Sequence, residues 1–255
     1  MKTDLRGAVV PLGLLMLAET GMRINDVQSD ALARPTDVAM ALWQSLVDGS
    51  LWLSTGQTLG AAMAGLALGS GLGLLFGLWF GLSRRAAQAS TLSVELLRPV
   101  PSVALIPLSM LVFGFGFRME ISVVAFTCFW PMMILSQAAI RQVEPRLLEV
   151  AHMLGFNPWA RAAKIVLPSA LPRIFVAFRL SVGIALVVGV TVEIAANPQG
   201  LGYALMSAQQ SLRPDLMFAL LLWLGLLGWG LSAGLLATQK RWFRHSLSDD
   251  SGDRS

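Results

Sequence analysis

The side chains able to make or break bonds are few. Two histidines, His152 and His245, and one cysteine, Cys128, are the whole supply of imidazole and thiol. No H-E-x-x-H, G-x-S-x-G or G-x-x-x-x-G-K-[ST] string occurs, so the chain encodes no zinc hydrolase helix, nucleophile elbow or phosphate-cradling loop. With a single cysteine there is no internal disulfide and no thiol-based metal site, and no cofactor is expected on this chain. The charged groups gather instead on one stretch, Glu144 to Pro172, EPRLLEVAHMLGFNPWARAAKIVLPSALP. A helix from Pro145 to Leu154 places Arg146, Glu149 and His152 on one side, and Gly155 is a natural left-handed stop. Asn157 then caps a second helix with Pro158 in its first turn. Trp159, Ala162, Ala163 and Val166 form an apolar stripe at i, i+3, i+4, i+7, with Arg161 and Lys164 outside it. Leu167-Pro168 is expected to end that helix. The chemistry of such a hairpin is recognition: it offers a knob to a soluble partner.

The elements that must position this hairpin are membrane helices. Hydrophobic residues make up 55% of the chain and charged residues 13%, and mean hydropathy is +0.65. A soluble domain carries about 25% charged residues. The reading is an all-α integral membrane protein of about six spans. Gly7–Ala18 is short for a span of about 20 residues and is taken as a retained, short or tilted helix, since no A-x-A-like cleavage site follows. Arg34-Pro35-Thr36-Asp37 reads as a turn and cap before an amphipathic interfacial segment, Val38 to Val47. Further spans are expected at Leu53–Leu82, Val103–Phe117, Ile121–Ile140, Ile174–Ala196 and Leu216–Ala237. Pro107 is expected to break the third and turn it toward the protein interior, Arg118 and Glu120 to form a minimal loop, and Trp130-Pro131 to interrupt the fourth.

Glycine spacing marks one of these spans for close packing. Gly65, Gly69, Gly73, Gly77 and Gly81 recur every four residues, leaving one helix edge as nearly bare backbone against which another helix must lie. Positive charge sets the orientation. With both termini inside, fourteen Lys and Arg residues fall on inner segments and four on outer ones, which puts the hairpin on the cytoplasmic side. The net charge of +4 is then topology, and no basic and aromatic interleaving points to nucleic acid.

Two charged residues lie within spans. Glu193, near the outer end of the fifth, is read either as part of an outer gate or substrate path or as a carboxylate snorkelling to the interface. Arg179, six residues beyond Arg173, either attracts an anion to the inner part of a path or snorkels. A secondary transporter would call for matching broken helices in inverted halves or for midmembrane acids, and no such repeat is visible.

The hairpin resembles the EAA loop of ATP-binding-cassette importer permeases. Glu149-Val150-Ala151, three residues, Gly155, nine residues and Ile165-Val166-Leu167-Pro168 keep its spacing, with Val150 in place of the second-position Ala. Leu97-Arg98-Pro99-Val100-Pro101, Leu105-Ile106-Pro107-Leu108, Phe113-Gly114-Phe115-Gly116 and Gly200-Leu201-Gly202-Tyr203 after Glu193 are similar to the nitrate, sulfonate and taurine branch, over about residues 35 to 245. That branch usually has an acidic residue directly after the Phe-Gly-x-Gly turn, where this chain has Phe117. The resemblance implies a type I importer permease in the bacterial inner membrane, a single domain of residues 1–255. Residues 53–237 would be its core, 1–52 an N-terminal helix and outer amphipathic segment, 144–168 the coupling loop and 238–255 a cytoplasmic tail. It implies a homodimer, two ATPase subunits that hold ATP and Mg, and a periplasmic or surface binding protein that delivers a small anion. Glu149, Val150, Ala151, His152, Gly155, Ile165, Leu167 and Pro168 would couple to the ATPase, while the chain itself catalyses nothing. A permease for an uncharged heterocyclic precursor is the related alternative.

Overall fold

The computed structural model describes residues 6–24 and 32–242. His245 and most of the tail lie outside them. All regular elements are helical: α1 Arg6–Ile24, α2 Pro35–Val47, α3 Ser50–Leu82, α4 Arg84–Leu97, α5 Ile106–Phe113 after a 3-10 turn Ser102–Leu105, and α6 Phe117–Arg141. The second half holds α7 Pro145–Met153, α8 Pro158–Arg161, a π turn Ala162–Val166, α9 Leu167–Ala195, α10 Gly200–Gln210 and α11 Pro214–Trp242.

Three long helices make the core. α3 and α6 run parallel, and a Cβ added along the glycine edge would meet α6 at every step. At Gly65 it would lie 2.6 Å from Val124 Cβ, at Gly73 2.5 Å from the Phe129 carbonyl oxygen, at Gly77 2.6 Å from that of Met133, and at Gly81 2.9 Å from Ile140 Cβ. At Gly69 it would run into the backbone of Ala125. In a bilayer, where lipid tails are as apolar as leucine, this backbone-to-backbone approach supplies the dispersion contacts that hold helices together. α9 lies antiparallel to both, with Val182 and Ala185 packed near Ala62, Leu66, Val124 and Cys128, and Ala170, Ile174 and Ala177 near Met132 and Ile140. α11 closes the other side through Leu220 and Trp223, whose indole N–H donates to Thr55 Oγ1 at 2.9 Å.

Several sequence expectations change. Four helical stretches, Ser50–Leu82, Phe117–Arg141, Pro158–Ala195 and Pro214–Trp242, are long and apolar enough to cross a membrane, and the pair Arg84–Leu97 and Ser102–Phe113, bent by 81°, makes a fifth if counted as one broken span. α1, with Arg6, Glu19 and Arg23, is not among them. It is tied to α2, whose Thr36 N–H and hydroxyl donate to the Glu19 carboxylate at 3.1 and 3.0 Å. Pro107 does not break a helix: it sits in the first turn of α5, where its missing N–H would have had no partner. One face of α5 packs inward, with Ile106 buried and Met110 set against Met119 and Val123 of α6, while Leu108, Leu111 and Val112 on the other face are exposed. α6 passes through Pro131 without interruption.

The hairpin's second helix does not stop at Leu167-Pro168 either. It continues to Ala195, because the π turn widens the ladder beneath Pro168, where the ring would otherwise crowd the carbonyl four residues back.

Candidate functional site

At one end of the bundle the hairpin packs Leu148 and Val166 onto the core and leaves its other side exposed. Its turn is a Schellman closure: Leu154 N–H donates to the Val150 carbonyl, Phe156 N–H to that of Ala151 at 3.1 Å, and Gly155 takes φ +69°. Asn157 Oδ1 accepts from Ala160 N–H at 2.7 Å and starts α8. Lys164 Nζ rests over the Phe156 ring, 5.4 Å from its centroid, joining the turn to the π segment. Ala151 is fully buried, whereas Arg146, Glu149, Val150, Met153, Leu154 and Trp159 are exposed. Glu149 and Arg146 form no ion pair among the described residues. His152 lies on α7, but its side chain is outside the described set.

Ala162, Ala163, Val166 and Leu167 line one apolar hollow with Trp159 and the nearby ends of α3 and α6; of the expected stripe Val166 is buried against the core, whereas Trp159 and Ala163 are exposed. Ile165 is half-buried and Pro168 exposed. Arg173 Nη1 donates to the Gln142 carbonyl and Arg141 Nη2 to that of Phe80, placing positive charge on the last carbonyls of α6 and α3. The knob therefore projects from well-capped helix ends.

The opposite end carries a buried polar cluster. Neither carboxylate there snorkels. Glu193 is 2% exposed and Glu120, expected in a loop, is 1% exposed in the first turn of α6. The first three N–H groups of α10 have no helical partners, and each finds a side chain from another helix. Gly200 N–H donates to Gln57 Oε1 at 3.0 Å, Leu201 N–H to Thr58 Oγ1 at 2.8 Å, and Gly202 N–H to Glu193 Oε2 at 2.7 Å. The negative carboxylate thus meets the positive helix terminus. Asn197 Nδ2 donates to Glu120 Oε2 at 2.7 Å, tying the end of α9 to α6. Oε1 of both glutamates and Asn197 Oδ1 have no hydrogen-bond partner among the described residues. Gly200 takes φ +88°, where a Cβ would also meet the Glu193 carboxylate, and at Gly202 a Cβ would run into the Val190 backbone carbonyl as well as Glu193 Cβ. Arg179 lies elsewhere, half-buried between α9 and α11, with Nη1 donating to Gln239 Oε1 at 3.5 Å.

Residues 69–243 match the family described as binding-protein-dependent transport system inner membrane component. The chain belongs to this family. Its sequence is 31% identical over 215 residues, 84% of this chain and 78% of the relative, to the permease protein SsuC of Bacillus subtilis, assigned to aliphatic sulfonates transport. It is 34% identical over 214 residues, 84% and 80%, to the riboflavin transport system permease protein RibX of Chloroflexus aurantiacus. In fold it matches a chain from a crystal structure of an amino acid ABC transporter with histidines, at TM-score 0.65 and 17% identity, covering 80% of this chain and 97% of that one. The protein is an ABC importer permease with a type I fold, an inner-membrane transport subunit.

In this permease, sequence reasoning found the hairpin turn and Glu193, and it missed Glu120, Asn197, Gln57 and Thr58. The sequence carries one signal for part of this cluster. A Gly-x-Gly pair seven and nine residues after a lone in-span glutamate lets a helix terminus approach that carboxylate. Nothing local marks Glu120, whose burial comes from α6 beginning at Phe117 and turning it toward Gly189, where an added Cβ would come within 3.3 Å of its Oε1.

Proposed function

We propose that the permease forms the path for a small organic anion of the aliphatic sulfonate, taurine or nitrate type. It works as a homodimer on two ABC ATPases and takes its substrate from an external binding protein, with the hairpin end and both termini cytoplasmic. The observation carrying the substrate is the 31% identity with a permease assigned to sulfonates over most of both chains. The docking surface rests on the projecting hairpin, whose Met153, Leu154 and Trp159 are 86%, 62% and 83% exposed and which links α6 directly to α9. Exposed apolar side chains of that size at the edge of a membrane domain suit a groove on a soluble subunit. Glu149, Val150, Ala151, Gly155 and the segment through Pro168 transmit nucleotide-driven closure to those two helices. His152 belongs to the same proposal by position. Riboflavin is the second reading, supported by the 34% identity with RibX.

The test is reconstitution with the ATPase and binding protein in proteoliposomes, with uptake of a labelled alkanesulfonate and of riboflavin measured side by side. Sulfonate uptake driven by ATP is expected, with no hydrolysis by the purified chain alone above a contaminant control. Uptake of riboflavin and not sulfonate would overturn the substrate. A mass corresponding to one copy of this chain per two ATPases would overturn the homodimer.

A further inference from the structure

The span α3 ends at Leu82, and after Ser83 the chain turns into α4 at Arg84. The hairpin comes back to the bundle beside this junction. Between them lies a cavity of about 500 Å³ with three arginines in its walls: Arg84 at the start of α4, Arg141 at the end of α6 and Arg161 at the end of α8. No carboxylate lines it.

Arg84 and Arg161 enter no ion pair and no side-chain hydrogen bond among the described residues. Arg141 Nη2 donates to the Phe80 carbonyl at 3.2 Å, which fixes the side chain at the wall and leaves its charge uncancelled. Arg84 and Arg141 are exposed and Arg161 is half-buried, so all three are open to a ligand arriving at the surface of the bundle. α4 directs the positive end of its dipole to the same wall. Three like charges brought together by three helices repel one another, and a bound oxyanion removes that repulsion.

The second observation is apolar. Leu82, Ile140 and Val166 belong both to this cavity and to the hollow beside Trp159, which continues past them to Leu78 and has no charged side chain in its walls. Leu78 lies four residues back from the end of α3, about 6 Å deeper along a helix long and apolar enough to cross a bilayer. Trp159, 83% exposed, stands at the rim, and tryptophan rings favour the membrane–water interface. A charged chamber at the end of a span, opening into an apolar one that leads toward the hydrocarbon, has the polarity of a phospholipid.

We propose that this double cavity binds one anionic glycerophospholipid. Its phosphate sits among Arg84, Arg141 and Arg161, Gln88 meets the remainder of the head group, and an acyl chain runs over Leu82 toward Leu78. Basic pockets between helices at a membrane surface suit acidic head groups. The acidic face of a soluble subunit would neutralise the arginines but could not follow the hollow below the surface. The lipid joins α4, α6 and α8, so the hairpin is held to the bundle by the membrane as well as by Leu148 and Val166. The inference goes beyond the substrate reading and needs only that this end of the bundle lies at a membrane surface.

The test uses the complete transporter, purified in mild detergent and stripped of lipid. It is titrated with phosphatidylglycerol, with phosphatidylcholine of the same chains and with glycerol 3-phosphate, and binding is read by native mass spectrometry. Phosphatidylglycerol is expected to bind at least about tenfold more tightly than phosphatidylcholine. Arg84→Gln and Arg161→Gln should each weaken it about fivefold, the share of one basic residue at an anionic lipid, with Arg161→Lys between Arg161→Gln and wild type. Neither arginine has a partner within the protein, so these variants keep the fold, and Arg141, which caps α3, is left in place. Arg118→Gln, the same loss of charge at the opposite end of α6, should leave binding unaltered. Equal affinity for phosphatidylcholine, or an equal loss in Arg118→Gln, would reduce the effect to diffuse association and overturn the site. Glycerol 3-phosphate binding as tightly as the lipid would overturn it too, since the hollow would then hold no chain. Arginine variants that shed the ATPase while binding phosphatidylglycerol like wild type would give this face to the ATPase instead.

Discussion

The two ends of the bundle solve opposite problems. At the α10 end the cluster draws on three parts of the chain, Gln57 and Thr58 of α3, Glu120 of α6, and Glu193 and Asn197 at the end of α9, and the first three N–H groups of α10 are each taken by Gln57, Thr58 or Glu193. At the other end the hairpin is satisfied within itself, through the Asn157 cap and the Phe156 to Ala151 bond, and its side chains face outward. A substitution at the α10 end is paid in assembly, because neighbours cannot give. At the hairpin the same kind of change leaves the fold intact and removes whatever the exposed surface does.

Between the ends, the α3–α6 seam should show the largest effect. Gly69→Leu and Gly73→Leu place a side chain where the α6 backbone already stands, so recovery of folded complex in detergent is expected to collapse. Leu72→Phe, at a position 51% exposed and off that edge, should leave recovery near normal. Equal yields for all three would mean that the seam contributes nothing.

At the α10 end, Thr58→Val keeps shape and strips the acceptor from Leu201 N–H. A buried donor left unpaired costs about 1–3 kcal/mol, read as a fall in the melting temperature of the complex. Gly200→Ala should be at least as severe, since φ is +88° and the new methyl meets Glu193. A thermal midpoint unchanged in both would show that α10 is not held by this cluster.

Gly155→Val tests the hairpin. Its Cβ meets no atom within 4 Å, so the cost is the left-handed conformation alone, about 1–2 kcal/mol and local. Normal insertion and assembly are expected with transport lost, and Gly155→Asn, which tolerates φ +69°, should recover part of it. The smallest stability effect belongs to Glu149→Ala. Exposed and outside any ion pair with Arg146, it should change stability by no more than about 0.5 kcal/mol while weakening ATPase docking. Full binding-protein-stimulated hydrolysis and uptake in both variants would sink the coupling role.

The order of these effects also separates what was legible in the residues from what was not. Glycines at 65, 69, 73, 77 and 81 repeat at a helical period, so an edge made for close approach could be read directly, and Asn157, Pro158 and Gly155 announced a cap, a first turn and a stop. These are local rules, set within about one turn of chain. Pro168 misled for the same reason: proline's preference is local, and the π turn that absorbs it exists because Val166 and Ala170 are packed against α6 and the helix gains by continuing.

Tertiary structure alone decided what those helices bring together. Glu120 and Asn197 are 77 residues apart, Thr58 and Leu201 143, and no periodicity joins such pairs. Arg84, Arg141 and Arg161 share a cavity only because the hairpin comes to lie beside the junction of α3 and α4. The sequence by itself determined a helical membrane protein, its tight glycine seam and its projecting hairpin, since hydropathy and helical period act along the chain. Which polar groups are buried, and which of them are left wanting a partner, depended on helix crossings, and those are set by the packing of surfaces far apart in sequence.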